Sequence, residues 1–318
     1  MSVDVGGLVA KAREGDHRSV GRLITLVENA APELREVMTA LAPHAGHACL
    51  IGLTGSPGVG KSTTTSALLS AYRARGQRVG VLAIDPTSPF SGGALLGDRV
   101  RMQEHATDDG VYIRSMGTRG NLGGVSWATP QAIRVLDAVG CDVVIIETVG
   151  VGQAEVAIAS LADSTIVMLA PGLGDGIQAA KAGILEIADL YVVNKADRDG
   201  ATQTVRDLKA MLTLGEKRGA GSWTPPVLST ISSKAEGIAE LVDALDRHRE
   251  WLRSSDELAA RRRRRAAEEI ETLAVTALRE RIGDLRGGTL LDELADDVLA
   301  GKTDPYAAAD RLVAAVEG

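Results

Sequence analysis

The sequence predicts an α/β fold in which a mostly parallel sheet is flanked by helices. Apolar runs typical of buried strands alternate with helical stretches between residues 48 and about 232, which is the pattern of a parallel sheet covered by helices. The first apolar run leads directly into a glycine-rich loop and then into a helical stretch. A hydrophobic fraction of 45% over 318 residues is enough for a large core, so the chain has the composition of a folded globular protein.

The pattern along the chain predicts three segments. Residues 1–46 form an N-terminal helical extension, residues 47–253 form the α/β domain, and residues 254–318 form a C-terminal helical arm. The arm is rich in Arg, Glu and Ala and has an apolar stripe at helical spacing, which suits dimerisation. Seven strands of the α/β domain are predicted at residues 49–54, 78–84, 111–115, 142–147, 164–170, 189–193 and 226–229.

Charge and composition narrow the function classes. The net charge of −7 argues against a nucleic-acid-binding surface, and the run Arg261–Arg265 is interpreted as a solvated helix face. Cys49 and Cys141 each lie in an apolar run and are expected to pack as small hydrophobic side chains. With no signal peptide and no apolar run of 18 or more residues, the expectation is a soluble cytoplasmic protein without a membrane partner.

The glycine-rich loop has the pattern of a phosphate-binding P-loop, Gly55-x-x-x-x-Gly60-Lys61-Ser62. Glycines let the backbone approach the phosphates, whose oxygens meet N–H groups at a helix N-terminus. Lys61 supplies a positive charge, and Ser62 offers a hydroxyl to Mg²⁺. The alternative, a glycine-rich turn before an ordinary helix, is disfavoured by the flanking strand. The expected nucleotide contacts in this loop are Gly55, Ser56, Gly58, Val59, Gly60, Lys61, Ser62 and Thr63.

Acidic residues follow two of the other predicted strands, at the sheet edge where ligands bind. Asp85 ends the strand at 78–84, and Glu147 ends the strand at 142–147, with Gly150 three residues later. This arrangement suits a carboxylate that holds Mg²⁺ and a glycine N–H that senses the terminal phosphate. Most such sites use Asp, so Glu147 is a departure. Simpler interpretations remain open: Asp85 as a turn residue, Asp98 as a helix cap, and Glu147 as a solvated acid.

The tetrapeptide Asn194-Lys195-Ala196-Asp197 follows the strand at 189–193 and predicts guanine recognition. A carboxylate at Asp197 accepts hydrogen bonds from two donors that guanine has and adenine lacks. Asn194 would brace the loop, and the Lys195 side chain would cover the base. After the last strand, Ser232, Ser233 and Lys234 are candidates to support the base through their N–H groups.

These motifs together resemble the MeaB/ArgK family over nearly the whole chain. The resemblance implies a GTPase that binds GTP or GDP with Mg²⁺ and assists adenosylcobalamin-dependent methylmalonyl-CoA mutase in cofactor loading and protection. It also implies a homodimer formed through the C-terminal arm and slow basal hydrolysis that the mutase accelerates. The segments that carry the resemblance are Gly55–Ser62, Ile84–Pro86, Leu96–Asp98, Arg119–Gly124, Glu147–Gln153 and Asn194–Asp197.

Roles carried over by the resemblance extend the site. The metal would be held by the Ser62 hydroxyl. The acidic shell of the metal and of the nucleotide-responsive loops would consist of Asp85, Asp98 and Glu147. Lys181 matches a lysine of an additional switch loop in the family, where it would transmit activation by the mutase. The residues expected to act in hydrolysis are Lys61, Asp85, Glu147, Gly150 and Lys181.

Three other functions would require sequence features different from those of this chain. An ATPase or kinase linked to lysine, arginine and ornithine transport would need an adenine pocket, against which Asn194–Asp197 argues. A metal-insertion GTPase would need clustered His or Cys residues, whereas the five histidines are scattered along the chain. A partitioning ATPase would carry an extra lysine at the position of Ser56.

Overall fold

The computed structural model describes residues 3–85, 103–105, 107–117, 128–148, 154–172, 184–214, 221–286 and 290–317. The chain divides into two compact units, Met1–Ala259 and Ala260–Gly318. Asp98, Gly150 and Lys181, like Arg119 and Gln153, lie outside the described residues.

The first unit contains a seven-stranded sheet in the order β3-β2-β4-β1-β5-β6-β7. Every neighbouring pair is parallel, so the predicted α/β class is confirmed, and all seven predicted strands are present. The strands are β1 Cys49–Gly55, β2 Val79–Asp85, β3 Val111–Gly117, β4 Val143–Thr148, β5 Ser164–Leu169, β6 Leu190–Asn194 and β7 Val227–Thr230.

Helices precede, connect and follow these strands. In the first unit they are α1 Val5–Arg13, α2 His17–Glu28, α3 Leu34–Leu41, α4 Lys61–Ala74, α5 Thr129–Ala138, α6 Ala154–Leu161, α7 Ala201–Leu214 and α8 Ile238–Ser254. The helix α9 Glu257–Arg286 begins at the end of this unit, and α10 Leu290–Leu299 and α11 Pro305–Glu317 complete the second unit.

The first two helices begin where the side chain of an aspartate accepts a hydrogen bond from a backbone N–H group of the first turn. The Asp4 carboxylate accepts from Gly7 N at 2.9 Å at the start of α1. The Asp16 carboxylate accepts from Ser19 N at 3.0 Å at the start of α2. Gly15 precedes it with φ +100°, a left-handed conformation that glycine adopts without steric cost. These contacts explain why the chain turns between α1 and α2 at Gly15 and Asp16.

The sheet is buried on both faces, because helices cover each of them. Every residue of β1, β4, β5 and β6 is buried, as expected for a parallel sheet between two helical layers. On one face, residues of α1–α3 and α5 share a core with Leu82 and Ile146. On the other face, residues of α4 and α8 share a core with Ile51 and Ile145. The N-terminal helices therefore form part of one helical layer.

The second unit has its own small apolar contact between α10 and α11, where Leu294 and Ala308 are buried. The α11 helix begins after Asp304, whose carboxylate accepts from Tyr306 N at 2.8 Å and from Ala307 N at 3.1 Å. No helix among the described residues is both long and apolar enough to span a lipid bilayer.

Candidate nucleotide-binding site

The loop after β1 has a backbone that requires glycine. Gly55 has φ +143° and Gly60 has φ +99°, values that side chains rarely adopt. A Cβ at Gly55 would overlap the Met168 carbonyl oxygen of the neighbouring strand, and one at Gly60 would overlap the amide nitrogen of Asn194. The loop is thus packed tightly between β5 and the residues that follow β6.

Lys61 is the first residue of α4, and its side chain folds into the loop. The Nζ atom donates to Gly55 O at 2.5 Å and to Ser56 O at 3.1 Å. Only 7% of the residue is exposed, so the loop carbonyls replace water as partners for a charge that is costly to bury. The ammonium group is therefore held on the inner side of the phosphate-binding loop, at the helix N-terminus where anions bind.

Glu147 lies near the end of β4 and accepts hydrogen bonds from two side chains of α4. Its Oε1 atom accepts from Ser62 Oγ at 2.6 Å, and its Oε2 atom accepts from Thr65 Oγ1 at 3.0 Å. Glu147 is 1% exposed and Thr65 is fully buried. The carboxylate is not a solvated strand-end acid, because both of its oxygens are used within the protein. Thr65 was missed by sequence reasoning, although its spacing of three from Ser62 puts both on one helix face.

These oxygens have the chemistry of a Mg²⁺ site. Serine hydroxyl and carboxylate oxygens are hard ligands of the kind that Mg²⁺ prefers. The distance of 2.6 Å between Ser62 Oγ and Glu147 Oε1 brings one of each to the same point beside the loop. Asp85 is the last residue of β2, the strand that pairs with β4.

Asn194, the last residue of β6, joins the phosphate-binding loop to the segment after β7. Its Nδ2 atom donates to Val59 O at 2.8 Å. Its Oδ1 atom accepts from Thr230 Oγ1 at 3.0 Å, from Ser232 Oγ at 2.9 Å and from Ser232 N at 3.1 Å. With 3% exposure, Asn194 uses donor and acceptor together in a buried network that fixes three segments relative to one another.

The residues after Asn194 continue over the phosphate-binding loop. Lys195 has φ +57°, and its Nζ atom donates to Gly58 O at 2.5 Å. Ala196 N donates to Thr230 O at 3.0 Å, which holds the turn against β7. Asp197 is exposed, so its carboxylate is accessible to a base lying along the loop.

In the segment after β7, Ser232 is buried whereas the next two residues are exposed. The Ser232 hydroxyl lies 2.7 Å from Thr64 Oγ1 and is buried with Asn194, so Ser232 connects α4 to Asn194. Ser233 and Lys234 are exposed beside it. Ala235, with φ +58°, closes the turn.

The fold and the site define a protein of the P-loop class, in which the glycine-rich loop, the Glu147 carboxylate and the segment that begins at Asn194 come together. The chain belongs to the MeaB family of GTPases, because residues 20–285 match the family model described as "Methylmalonyl Co-A mutase-associated GTPase MeaB". The resemblance inferred from the motifs is therefore confirmed.

Individual relatives agree with this assignment. A putative GTPase of Pyrococcus abyssi is 47% identical over 313 residues, which cover 98% of this chain and 96% of that protein. The mouse protein named "Methylmalonic aciduria type A homolog, mitochondrial" is 41% identical over 215 residues, covering 67% of this chain and 52% of that protein. A crystal structure of LAO/AO transport system kinase has a TM-score of 0.73 at 24% identity, with full coverage of both chains. The last similarity supports the fold.

Proposed function

We propose that this chain binds GTP and GDP with Mg²⁺ and hydrolyses GTP. One observation carries the proposal: the Asn194 and Lys195 side chains bond to Val59 O and Gly58 O of the phosphate-binding loop. The base-reading loop therefore begins directly beside the phosphate loop, as one nucleotide spanning both would need. The family to which the chain belongs supports the same activity.

The proposed catalytic roles follow from charge and position. Lys61 neutralises charge on the β- and γ-phosphates, together with N–H groups at the start of α4. Ser62 and Glu147 hold Mg²⁺, which when bound supplies further neutralisation of the phosphate charge. Asp85 and Asp98 would complete the acidic shell, and Gly150 and Lys181 would respond to the terminal phosphate and to the partner. The residues assigned here to hydrolysis include neither an arginine finger nor a glutamine in line with the attacking water, so we expect slow basal turnover that a partner accelerates.

Base recognition is tested by Asp197→Asn, which replaces the carboxylate by an amide that presents a donor to guanine. Loss of a charged hydrogen-bond partner costs about 1.5–3 kcal/mol, so GTP affinity should fall roughly 10- to 100-fold. Xanthosine triphosphate, which presents the complementary acceptor, should bind the variant better than GTP does. Asp199→Asn is the matched control, since Asp199 is also exposed two residues away. Unchanged GTP affinity in Asp197→Asn would contradict the assignment.

The proposed partner is an adenosylcobalamin-dependent methylmalonyl-CoA mutase, for which this GTPase acts as a chaperone in cofactor loading and protection. The family description names association with that mutase, and the similarity to the mouse methylmalonic aciduria protein supports the same partner. A pull-down from native lysate with GDP or with a non-hydrolysable GTP analogue tests it by mass spectrometry. Recovery of the mutase would support the proposal. Recovery of a membrane permease or of a nickel or cobalt enzyme would favour the transport or metal-insertion alternative.

We further propose that the chain forms a homodimer through its C-terminal arm. On α9, Ile270 is 68% exposed, Leu273 is 47% exposed and Leu278 is 52% exposed. Their spacing places these side chains on one side of the helix. An apolar stripe of this kind is typical of a surface that a second copy covers.

A further inference from the structure

A cavity of about 340 Å³ lies at the sheet edge opposite the phosphate-binding loop. Its wall includes His47 and Asp142, which come just before β1 and β4, whereas the P-loop follows the carboxyl end of β1. A strand of six or seven residues is roughly 20 Å long, so this cavity is separate from the proposed GTP site. Its remaining polar and charged wall comes from Arg13, His44, Gln77, Asp137 and Arg249.

The two carboxylates of the cavity are already used by the backbone. Asp137 accepts three N–H groups, from Gly46 at 2.5 Å, His47 at 3.0 Å and Ala48 at 2.9 Å. Asp142 accepts the Arg78 N–H at 2.8 Å. Donated N–H groups compensate much of the negative charge of a carboxylate. Burial raises the pKa of Cys141 to about 12, so this thiol adds no negative charge to the wall.

Two cationic side chains of the wall differ from these carboxylates: Arg13 is exposed and Arg249 is partly buried. Arg13 and Arg249 form no ion pair or hydrogen bond with any residue that the structure describes. Arg13 comes from the last turn of α1 and Arg249 from α8, so two different helical layers each contribute one arginine to the cavity wall. His44 and His47 also line the cavity. A guanidinium presents several donors in one plane and matches phosphate oxygens in pairs.

We propose that this cavity binds the phosphate group of a small phosphorylated molecule. A volume of about 340 Å³ lies within the range of small-molecule sites and exceeds what one phosphate ion fills. A phosphate ester should therefore bind more tightly than inorganic phosphate. The ligand would connect the N-terminal helices to α8 and to the strand starts, and it would act independently of guanine recognition.

Binding is measured by titration calorimetry on the full chain, with the GTP site filled by a non-hydrolysable GTP analogue. The probes are ribose 5-phosphate, inorganic phosphate and unphosphorylated ribose. Arg13→Gln and Arg249→Gln remove one charge each and should each weaken binding of ribose 5-phosphate by about tenfold or more. The matched controls are Lys11→Gln on α1 and Arg247→Gln on α8, which carry exposed charges outside the cavity wall. Circular dichroism checks that each variant is folded.

The proposal is supported if ribose 5-phosphate binds the wild-type chain and the controls but binds the two cavity variants more weakly. Equal affinities for inorganic phosphate and for the ester, with the same loss in the cavity variants, would support the site and identify free phosphate as its ligand. Absence of binding by both phosphate probes, or equal binding by cavity and control variants, would overturn it. These outcomes test the cavity separately from the proposed GTPase function, because cavity and control variants are compared under the same nucleotide conditions.

Discussion

Replacing Asn194 by alanine should destabilise the protein and weaken binding of every nucleotide that uses the phosphate loop. The substitution removes a hydrogen bond to Val59 O and three that end on Oδ1. The Ser232 hydroxyl keeps a partner in Thr64 at 2.7 Å, and Thr230 Oγ1 lies 3.5 Å from that hydroxyl. The groups that lose their partner are therefore Val59 O and Ser232 N.

The magnitude follows from these two buried groups. Each orphaned donor or acceptor costs about 1–3 kcal/mol, so loss of two partners should lower the free energy of unfolding by about 2–6 kcal/mol. Urea unfolding followed by circular dichroism measures this change. Thr230→Val is a graded control, because it removes one donor to Asn194 and leaves the bond to Val59 O intact. Its expected cost is about 1 kcal/mol.

Nucleotide affinities distinguish the effect of Asn194→Ala on the phosphate loop from the effect of Asp197→Asn on base recognition. With Val59 O released, the loop loses its buried contact with β6 and keeps only the exposed bond from Lys195 to Gly58 O in this segment, so GDP affinity should fall by about tenfold or more. The fall should be the same for xanthosine diphosphate, unlike the selective effect of Asp197→Asn. If Asn194→Ala changed the unfolding free energy by less than about 1 kcal/mol and left GDP affinity intact, the bracing role would be wrong.

Three further predictions concern the metal site, the acid response and the arm. Thr65→Val removes one of the two hydroxyl groups that donate to Glu147, so GTP hydrolysis should need a higher Mg²⁺ concentration for its half-maximal rate. The affinity for GDP in the presence of EDTA should be unchanged. The hydrogen bond from Arg73 holds the pKa of Asp108 below its usual 3.8, so the pair's stabilisation is complete above that pH and is lost as pH falls through the lowered pKa. Asp108→Asn should therefore shrink the difference in unfolding free energy between pH 7 and pH 3, and an unchanged difference would contradict this assignment. In the arm, the double substitution Ile270→Glu with Leu273→Glu should convert the proposed dimer to a monomer, which light scattering detects as a halved molar mass. The control Glu271→Gln changes an exposed neighbour on the same helix and should leave the molar mass unchanged.

The sheet was predictable because its central strands are buried on both sides. A strand with helices on each face must be apolar at nearly every position, and the runs around Ile51, Ile145 and Ile166 satisfy this. The phosphate loop was predictable for a related reason, since Gly55 and Gly60 occupy conformations and contacts that exclude other residues. In both cases the local sequence is restricted by local geometry.

The connections between segments were not predictable from the same signals. Asn194 reaches Val59 across 135 residues, and nothing in the local pattern of either residue specifies the other. In the sequence, nothing distinguishes Thr65 from the other threonines of α4. Its role becomes visible only in the folded chain, where its hydroxyl donates to Glu147 of β4. The sequence predicts a helical extension over residues 1–46 but not that its helices share a core with Leu82 of the sheet. The cavity between Arg13 and Arg249 depends wholly on such tertiary placement.

Single-turnover hydrolysis of GTP by the purified chain, with and without purified methylmalonyl-CoA mutase, tests the central claim most directly. We predict slow, Mg²⁺-dependent release of phosphate that the mutase accelerates by about tenfold or more, which corresponds to about 1.4 kcal/mol of barrier. Lys61→Ala supplies the inactive control. A chain that binds GTP but hydrolyses it at the same rate with and without the mutase would contradict the proposed partnership. A chain that hydrolyses ATP in preference to GTP would contradict the assignment of the base-reading loop.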